Sequence, residues 1–181
     1  MKTPRAPTEA QLVSQAVKGD RRAFSGLILL HQSAVRQQLR RLTKGNVALA
    51  DDLAQETFIQ AWTHLHNFNG AARLTSWLYR IAYNQFLMHV RSEPAMPALE
   101  RKEGGIDHAR QHDLAFDLNW AIAQLPEPQR VALIHCYQLD LSHEEAAHIL
   151  DMPLGTLKSH LLRGKAQLRL LLGAWSEELA R

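Results

Sequence analysis

The chain has 181 residues, 46% hydrophobic and 22% charged, a composition that suits one or two ordinary globular domains. It has no run of about 18 apolar residues and so no membrane span, and its single Cys136 excludes an internal disulfide or a cysteine-built zinc site. The net charge of +3 hides an asymmetry: residues 1–92 hold 12 Lys/Arg against 5 Asp/Glu, whereas 119–181 hold 6 against 7. An N-terminal half this basic suits a polyanionic partner. The opening MKTPRAPTEAQ has no apolar signal segment, so the protein is expected to stay in the cytoplasm.

Residues 8–42 read as two helices. Thr8 has the chemistry of an N-cap and Gly19 that of a C-terminal stop, with Leu12, Val13 and Ala16 as the apolar stripe between them. Asp20 then caps a longer helix in which Phe24, Leu27, Ile28, Val35, Leu39 and Leu42 recur at helical spacing. Arg36, Arg40 and Arg41 solvate its far end. Thr43 to Ala50 is read as a connection.

Asp51 to Arg91 carries the most information: DDLAQETFIQAWTHLHNFNGAARLTSWLYRIAYNQFLMHVR. At 100° per residue, Leu53, Ala54, Thr57, Phe58, Ala61 and Leu65 form a core stripe, with Asp52, Gln55, Glu56 and Ile59 opposite. An isoleucine among carboxylates marks either a docking surface for a basic partner helix or an acidic solvent face with one stray apolar residue. In the next helix Leu74, Leu78, Ile81, Ala82 and Met88 are expected inside. Ser76, Arg80, Asn84 and Arg91 share the other side with Tyr83 and Leu87. The loop His66 to Arg73, turning at Gly70, lies beside Trp77, Tyr79 and Tyr83. These rings either belong to the core or help the loop accept an unstacked base.

After Arg91 the character changes. Ser92 to Asp113 has two prolines, adjacent glycines and little periodicity, the composition of a flexible linker between two independently placed domains. His108 and His112 lie four apart but lack a third ligand in a comparable position, so no metal site is assigned. From Leu114 the pattern is helical again. Leu118, Ile122 and Leu125 form one stripe before Pro126, and Pro128 suits the first turn of the next helix, which carries Val131, Ile134 and His135. Cys136 is read there as a buried small hydrophobe.

LSHEEAAHILDMPLGTLKSHLLRGKAQLRLLL is a helix-turn-helix. Ser142 and Glu145 form a capping box, Leu141 is placed to staple against Ala146, and Asp151-Met152-Pro153 breaks the helix. The inner stripe of the second helix is Leu157, Leu161, Gly164, Leu168 and Leu171, with Gly164 allowing close packing. Its outer face gathers Lys158, Ser159, Lys165 and Arg169 around Leu162, with Thr156 and Arg163 alongside. Such a helix can enter a major groove, Lys158 and Arg163 reaching base edges or phosphates and Thr156 and Ser159 donating to phosphates. A solvated basic helix is the other reading; the capped partner helix and the short turn favour DNA. The histidines of HEEAAH stand five apart, not the four of a zinc-protease helix, so no metallohydrolase follows.

DDLAQETFIQAW, a Phe-Asn-Gly loop and SWLYRIAYN, in that order and spacing, resemble region 2 of sigma-70-type initiation factors, in the extracytoplasmic-function (ECF) group. LSHEEAAHILDMPLGTLKSHLLRGKAQL resembles region 4 of the same family, the helix-turn-helix that reads the −35 promoter element. The resemblance implies an all-α fold: two small helical domains joined by a flexible linker, with region 2 over 8–91, the linker over 92–113 and region 4 over 114–172.

It also implies a function with no catalysis, cofactor or metal. Asp52, Gln55, Glu56 and Ile59 match the family's surface for the clamp helices of the RNA polymerase largest subunit. Asn67, Asn69, Arg73, Ser76, Trp77, Arg80 and Asn84 match the elements that read and melt the −10 DNA. Thr156, Lys158, Ser159, Arg163 and Lys165 match positions used on the −35 duplex. The implied partners are RNA polymerase core, promoter DNA and an anti-sigma factor. A stand-alone helix-turn-helix regulator acting without polymerase is the alternative, and it leaves 51–91 unexplained. An enzyme acting on nucleic acid would need a convergent acid, base or metal set, and none is visible.

Overall fold

The structure, a computed structural model, describes residues 7–92 and 114–179. Among these residues every regular element is helical. The first unit comprises α1 (Glu9–Val17), α2 (Arg21–Leu42), α3 (Val47–His64) and α4 (Leu74–Ser92), with a 3₁₀ turn at Leu65–Asn67. The second comprises α5 (Leu114–Gln124), α6 (Glu127–Leu133), a π-helical turn at Ile134–Gln138, α7 (His143–Ile149) and α8 (Leu154–Leu179). Ser92, expected to open the 92–113 linker, instead closes α4, and residues 93–113 lie outside the described residues.

Local chemistry sets most of the boundaries. Thr8 and Gln11 form a reciprocal capping box at α1, and Asp20 accepts from the amides of Arg22 and Ala23 at α2. The third helix begins four residues earlier than the sequence pattern suggested. Asn46 Oδ1 accepts from Leu49 N at 3.1 Å, so Val47 to Ala50 is the first turn of α3 and not a connection. Ser142 and Glu145 exchange side-chain and backbone hydrogen bonds at 3.0 and 3.1 Å and so fix the start of α7.

Leu39, Leu42, Ala61, Leu65, Leu78 and Ala82 fill the centre of the first unit; Val131, Ile134, Ala146, Leu157 and Leu161 fill that of the second. The π turn, closed by Leu139 N to Ile134 O, continues the buried run of α6 (Arg130 to Leu133) through Ile134, His135 and Cys136. Burial pushes the Cys136 thiol up to about 11 against the opposing charge of Lys165, consistent with a small inert hydrophobe. Gly164 lies against Leu133: a Cβ built there would stand 2.8 Å from Leu133 Cδ1.

The two units are packed on one another through α2, α4, the π turn and α7. Gln38 Nε2 donates to Tyr79 O (3.1 Å) and meets His135 Nε2 (3.1 Å), while Arg41 donates to Gln138 O at 3.0 Å. Tyr83 meets the His135 ring edge-on, with centroids 5.5 Å apart. This contact corrects the expected orientation of α4. Ser76 and Tyr83 are buried, Phe86 is inside, and Met88, expected inside, is 61% exposed. The inward stripe of α4 keeps Leu74, Leu78 and Ala82 and is widened onto Ser76, Tyr79, Tyr83 and Phe86, because the second unit covers its other side. In α5, Leu118 is similarly outside while Ala121 and Ile122 are buried.

Candidate functional site

Three surfaces carry the residues singled out in the sequence. On α3, Asp52, Gln55, Glu56 and Ile59 are all exposed, Ile59 at 47%. Asp52, Gln55 and Ile59 line a groove of about 520 Å³ between α2 and α3; Glu56 is exposed on the same helix outside it. The groove also takes Phe24, Ile28, Phe58 and Trp62, with Phe24 and Trp62 rings 4.9 Å apart. Arg36 and Arg40 approach Asp51 at 3.3 and 3.8 Å along its edge. These half-exposed pairs contribute little stability, roughly 0–1 kcal/mol, so they shape the rim more than they hold it. Sequence reasoning missed the α2 wall, although Phe24 and Ile28 were already visible as apolar positions facing the same way.

The second surface is the loop and α4. Asn67 ends the 3₁₀ turn, and Asn69 Oδ1 accepts from Ala71 N at 3.0 Å. Gly70 takes φ +73, a left-handed conformation in which a side chain would be strained. Phe68 and Trp77 rings pack at 5.3 Å, so Trp77 is half-buried and shared between core and loop. Asn67, Asn69, Arg73 and Asn84 are exposed. Ser76 and Arg80 are not open to solvent as a free reading face would require. Ser76 is 7% exposed, and its hydroxyl faces the Glu145 carboxyl of α7, which the Ser142 amide chiefly holds below the usual carboxylate range and Ser76 helps to hold there. Arg80 is half-buried, with Nη1 2.8 Å from His148 Nε2 of α7.

The third surface is α8. Thr156, Lys158, Ser159, Arg163 and Lys165 are all exposed, and Leu162 stands among them at 72%. The turn into α8 places Asp151 at φ +51 and closes with Met152 N to Ala147 O at 3.0 Å. Two predicted contacts are partly engaged. Ser159 Oγ donates to Gly155 O at 3.0 Å, so the hydroxyl expected to donate to a phosphate is bonded back to its own helix. Lys165 Nζ lies 4.4 Å from the Tyr137 ring centroid, a cation–π contact that fixes the ammonium beside the recognition face. Lys158 and Arg163 are exposed and have no ion pair or hydrogen-bond partner for their side chains among the described residues.

Among the described residues no three His, Cys, Asp or Glu side chains cluster as metal ligands, and no helix is long and apolar enough to cross a membrane. What the three surfaces share is geometry suited to macromolecules: a groove with an apolar floor, an aromatic-backed loop and an exposed basic helix.

A two-unit helical protein with these surfaces has the architecture of a transcription initiation factor, and comparison with known proteins agrees. Residues 27–94 match the model of sigma-70 region 2, and residues 118–168 match sigma-70 region 4. The chain is 32% identical to the RNA polymerase sigma-H factor of Pseudomonas aeruginosa, over 87% of this chain and 90% of that protein. It is 33% identical to the ECF sigma factor SigM of Mycobacterium tuberculosis (92% and 85%) and 28% identical to SigW of Bacillus subtilis (87% and 92%). Among solved structures, CnrH in complex with the cytosolic domain of CnrY matches with a TM-score of 0.68 and 28% identity, over 90% of this chain and 96% of that one. RpoE of Bartonella quintana, solved with the anti-sigma factor NepR, matches with a TM-score of 0.65 and 28% identity over 83% and 96%. The chain belongs to the sigma-70 family and, within it, to the ECF group of RNA polymerase sigma factors.

Proposed function

We propose that this chain binds RNA polymerase core through the α2–α3 groove and directs it to promoters by reading the −35 duplex with α8 and capturing unpaired −10 bases at the loop and α4. The observation that carries the reading is the groove itself. Ile59, Asp52 and Gln55 stand exposed over an apolar floor formed by Phe24, Ile28, Phe58 and Trp62, a surface that a basic amphipathic helix of a partner would cover. We assign Asp52, Gln55, Glu56 and Ile59 to that contact. Asn67, Asn69, Arg73, Ser76, Trp77, Arg80 and Asn84 are assigned to the −10 strand, and Thr156, Lys158, Ser159, Arg163 and Lys165 to the −35 duplex.

The mechanism asks for no bond chemistry from this chain. Opening a base pair costs a few kcal/mol, and a loop that stacks and hydrogen-bonds an extruded base offsets it. Phe68 and Trp77 back the loop with aromatic surface, and the amides of Asn67 and Asn69 supply hydrogen bonds. Basic α8 adds duplex affinity through phosphates and base edges. Residues 8–91 and 114–172 serve as the two DNA-reading domains. The proposed place of action is the cytoplasm, and the proposed inhibitor is an anti-sigma factor, the class of partner with which the B. quintana relative was solved.

The direct test is co-elution with purified bacterial core polymerase in size-exclusion chromatography. The parent chain is expected to travel with core. Elution of the two as separate peaks overturns the reading in favour of a stand-alone DNA-binding regulator.

A further inference from the structure

Tyr137 turns outward from the π turn. Ile134, His135 and Cys136 just before it are buried, whereas Tyr137 is 52% exposed. One face of its ring is taken by Lys165 of α8, whose Nζ stands 4.4 Å from the centroid. Lys165 in turn belongs to a row. At 100° per residue Lys158, Leu162, Lys165 and Arg169 lie within about 60° of one another along α8, and all four are exposed. Lys165 stands two turns beyond Lys158, about 10 Å further along the helix axis. A recognition helix reads base edges near its amino end, so a cation this far on reaches the border of the groove, where the phosphates run.

The chemistry of the pair suits a phosphate. Pro153 to Leu172 holds four basic residues and no acidic one, and among the described residues no carboxylate pairs with Lys165. A carboxylate in the place of Tyr137 would order the lysine but cancel its charge, and that ion pair would have to break before a phosphate could bind. An aromatic face attracts the ammonium and leaves the charge whole. The N–H donors turned away from the ring stay available to an acceptor. A lysine already ordered in this way also loses less side-chain freedom on docking.

We propose that Tyr137 is a positioning residue of the −35 interface, its ring holding Lys165 ready for a backbone phosphate of the duplex. The inference rests on the reading of α8 as a DNA surface. It adds a residue from the preceding turn and divides the row by task, Lys158 towards the groove and Lys165 towards the backbone. A phosphate contact carries no sequence information, so its effect is the same on any duplex.

The full-length chain is titrated into a fluorescein-labelled duplex of random sequence, about 24 base pairs long, and followed by anisotropy between about 50 and 200 mM salt. Lys165→Ala is expected to weaken binding roughly tenfold at the lower salt and to reduce the slope of log affinity against log salt by about one. Tyr137→Leu is expected to weaken binding roughly 3-fold with the slope unchanged, because the charge remains and only its order is lost. Tyr137→Gln, a second variant without the ring, is expected to behave as Tyr137→Leu does. Tyr137→Phe keeps the ring and is expected to match the parent. In the Lys165→Ala background, Tyr137→Leu is expected to have no further effect.

Parent-like affinity of both ring-less variants, a loss in Tyr137→Phe as large as theirs, or the same loss with and without Lys165 each overturns the positioning role. So does a parent that fails to bind the duplex at the lower salt, since the row on α8 is exposed in the free chain. Lys158→Ala separates this role from the reading it rests on. If Lys158→Ala weakens binding and Tyr137→Leu does not, α8 stays a DNA surface and only the role of Tyr137 falls. If neither Lys158→Ala nor Lys165→Ala changes affinity or slope, the DNA surface itself falls.

Discussion

Gln38 of α2 and His135 of the π turn, 97 residues apart in sequence, meet at 3.1 Å in a fully buried hydrogen bond that joins the two units. Burial pushes the His135 imidazole down to about 4, against the Val131 carbonyl, which favours the charged form. In the unfolded chain the same ring titrates near 6.5. Between those values the unfolded state takes up a proton that the folded state refuses. The stabilisation is therefore full above pH 6.5 and is lost as pH falls towards 4, to a total of about 3 kcal/mol. Urea midpoints at pH 7.5 and pH 5 should differ more for the parent than for His135→Leu, and equal differences would contradict the assignment.

Gly164 is a packing position. An added Cβ would come within 2.8 Å of Leu133 Cδ1 and 3.4 Å of Gln129 Cβ, so the buried Leu133 side chain must shift to admit it. Gly164→Ala gains about 1 kcal/mol of helix propensity and loses roughly 1–3 kcal/mol to overpacking. The expected result is a net lowering of the melting temperature. A variant as stable as the parent would show that α8 can move off α6 without loss.

Ile59 and Glu56 test the polymerase surface separately from the fold. Both are exposed on α3, so Ile59→Glu and Glu56→Lys should leave the helical circular dichroism unchanged. Each should weaken binding to core polymerase by about tenfold or more, Ile59→Glu most, since it places a charge against the apolar floor of the groove. Unchanged affinity in both would remove the α2–α3 groove as the docking site.

Lys158 and Arg163 are exposed on α8, and neither is engaged as Lys165 is by Tyr137. Replacing either by alanine should weaken −35 duplex binding by the assembled holoenzyme, by roughly 1–3 kcal/mol for a base-edge contact. A phosphate contact would instead lower the slope of affinity against salt. A titration in which neither affinity nor slope changes would leave α8 as a solvated helix.

The helices are largely legible because their ends carry signals that act locally: Thr8, Asp20, Ser142 and Pro128 each announce a start through their own side chain or ring. Asn46 carries the same signal, but Val47 to Ala50 after it lack a polar face and so show no helical periodicity. Periodicity places Asp52, Gln55, Glu56 and Ile59 on one outer face of α3 but leaves it open between a docking surface and an acidic solvent face; only the family resemblance assigns it to polymerase. The outer side of α4 was not readable. Helical spacing places Ser76, Tyr83 and Met88 relative to one core, whereas α4 packs on α2 and α3 and also on the second unit, through Tyr83 on His135 and Arg80 on His148. The π turn was equally hidden, because its extra residue leaves no mark in a pattern of apolar spacing.

Run-off transcription tests the central claim most directly. Purified core polymerase is given genomic promoter fragments with and without this chain, and the transcript ends are mapped. The account predicts discrete start sites only when the chain is present, and their loss with Ile59→Glu. Identical, unselective transcripts with and without the chain would contradict it.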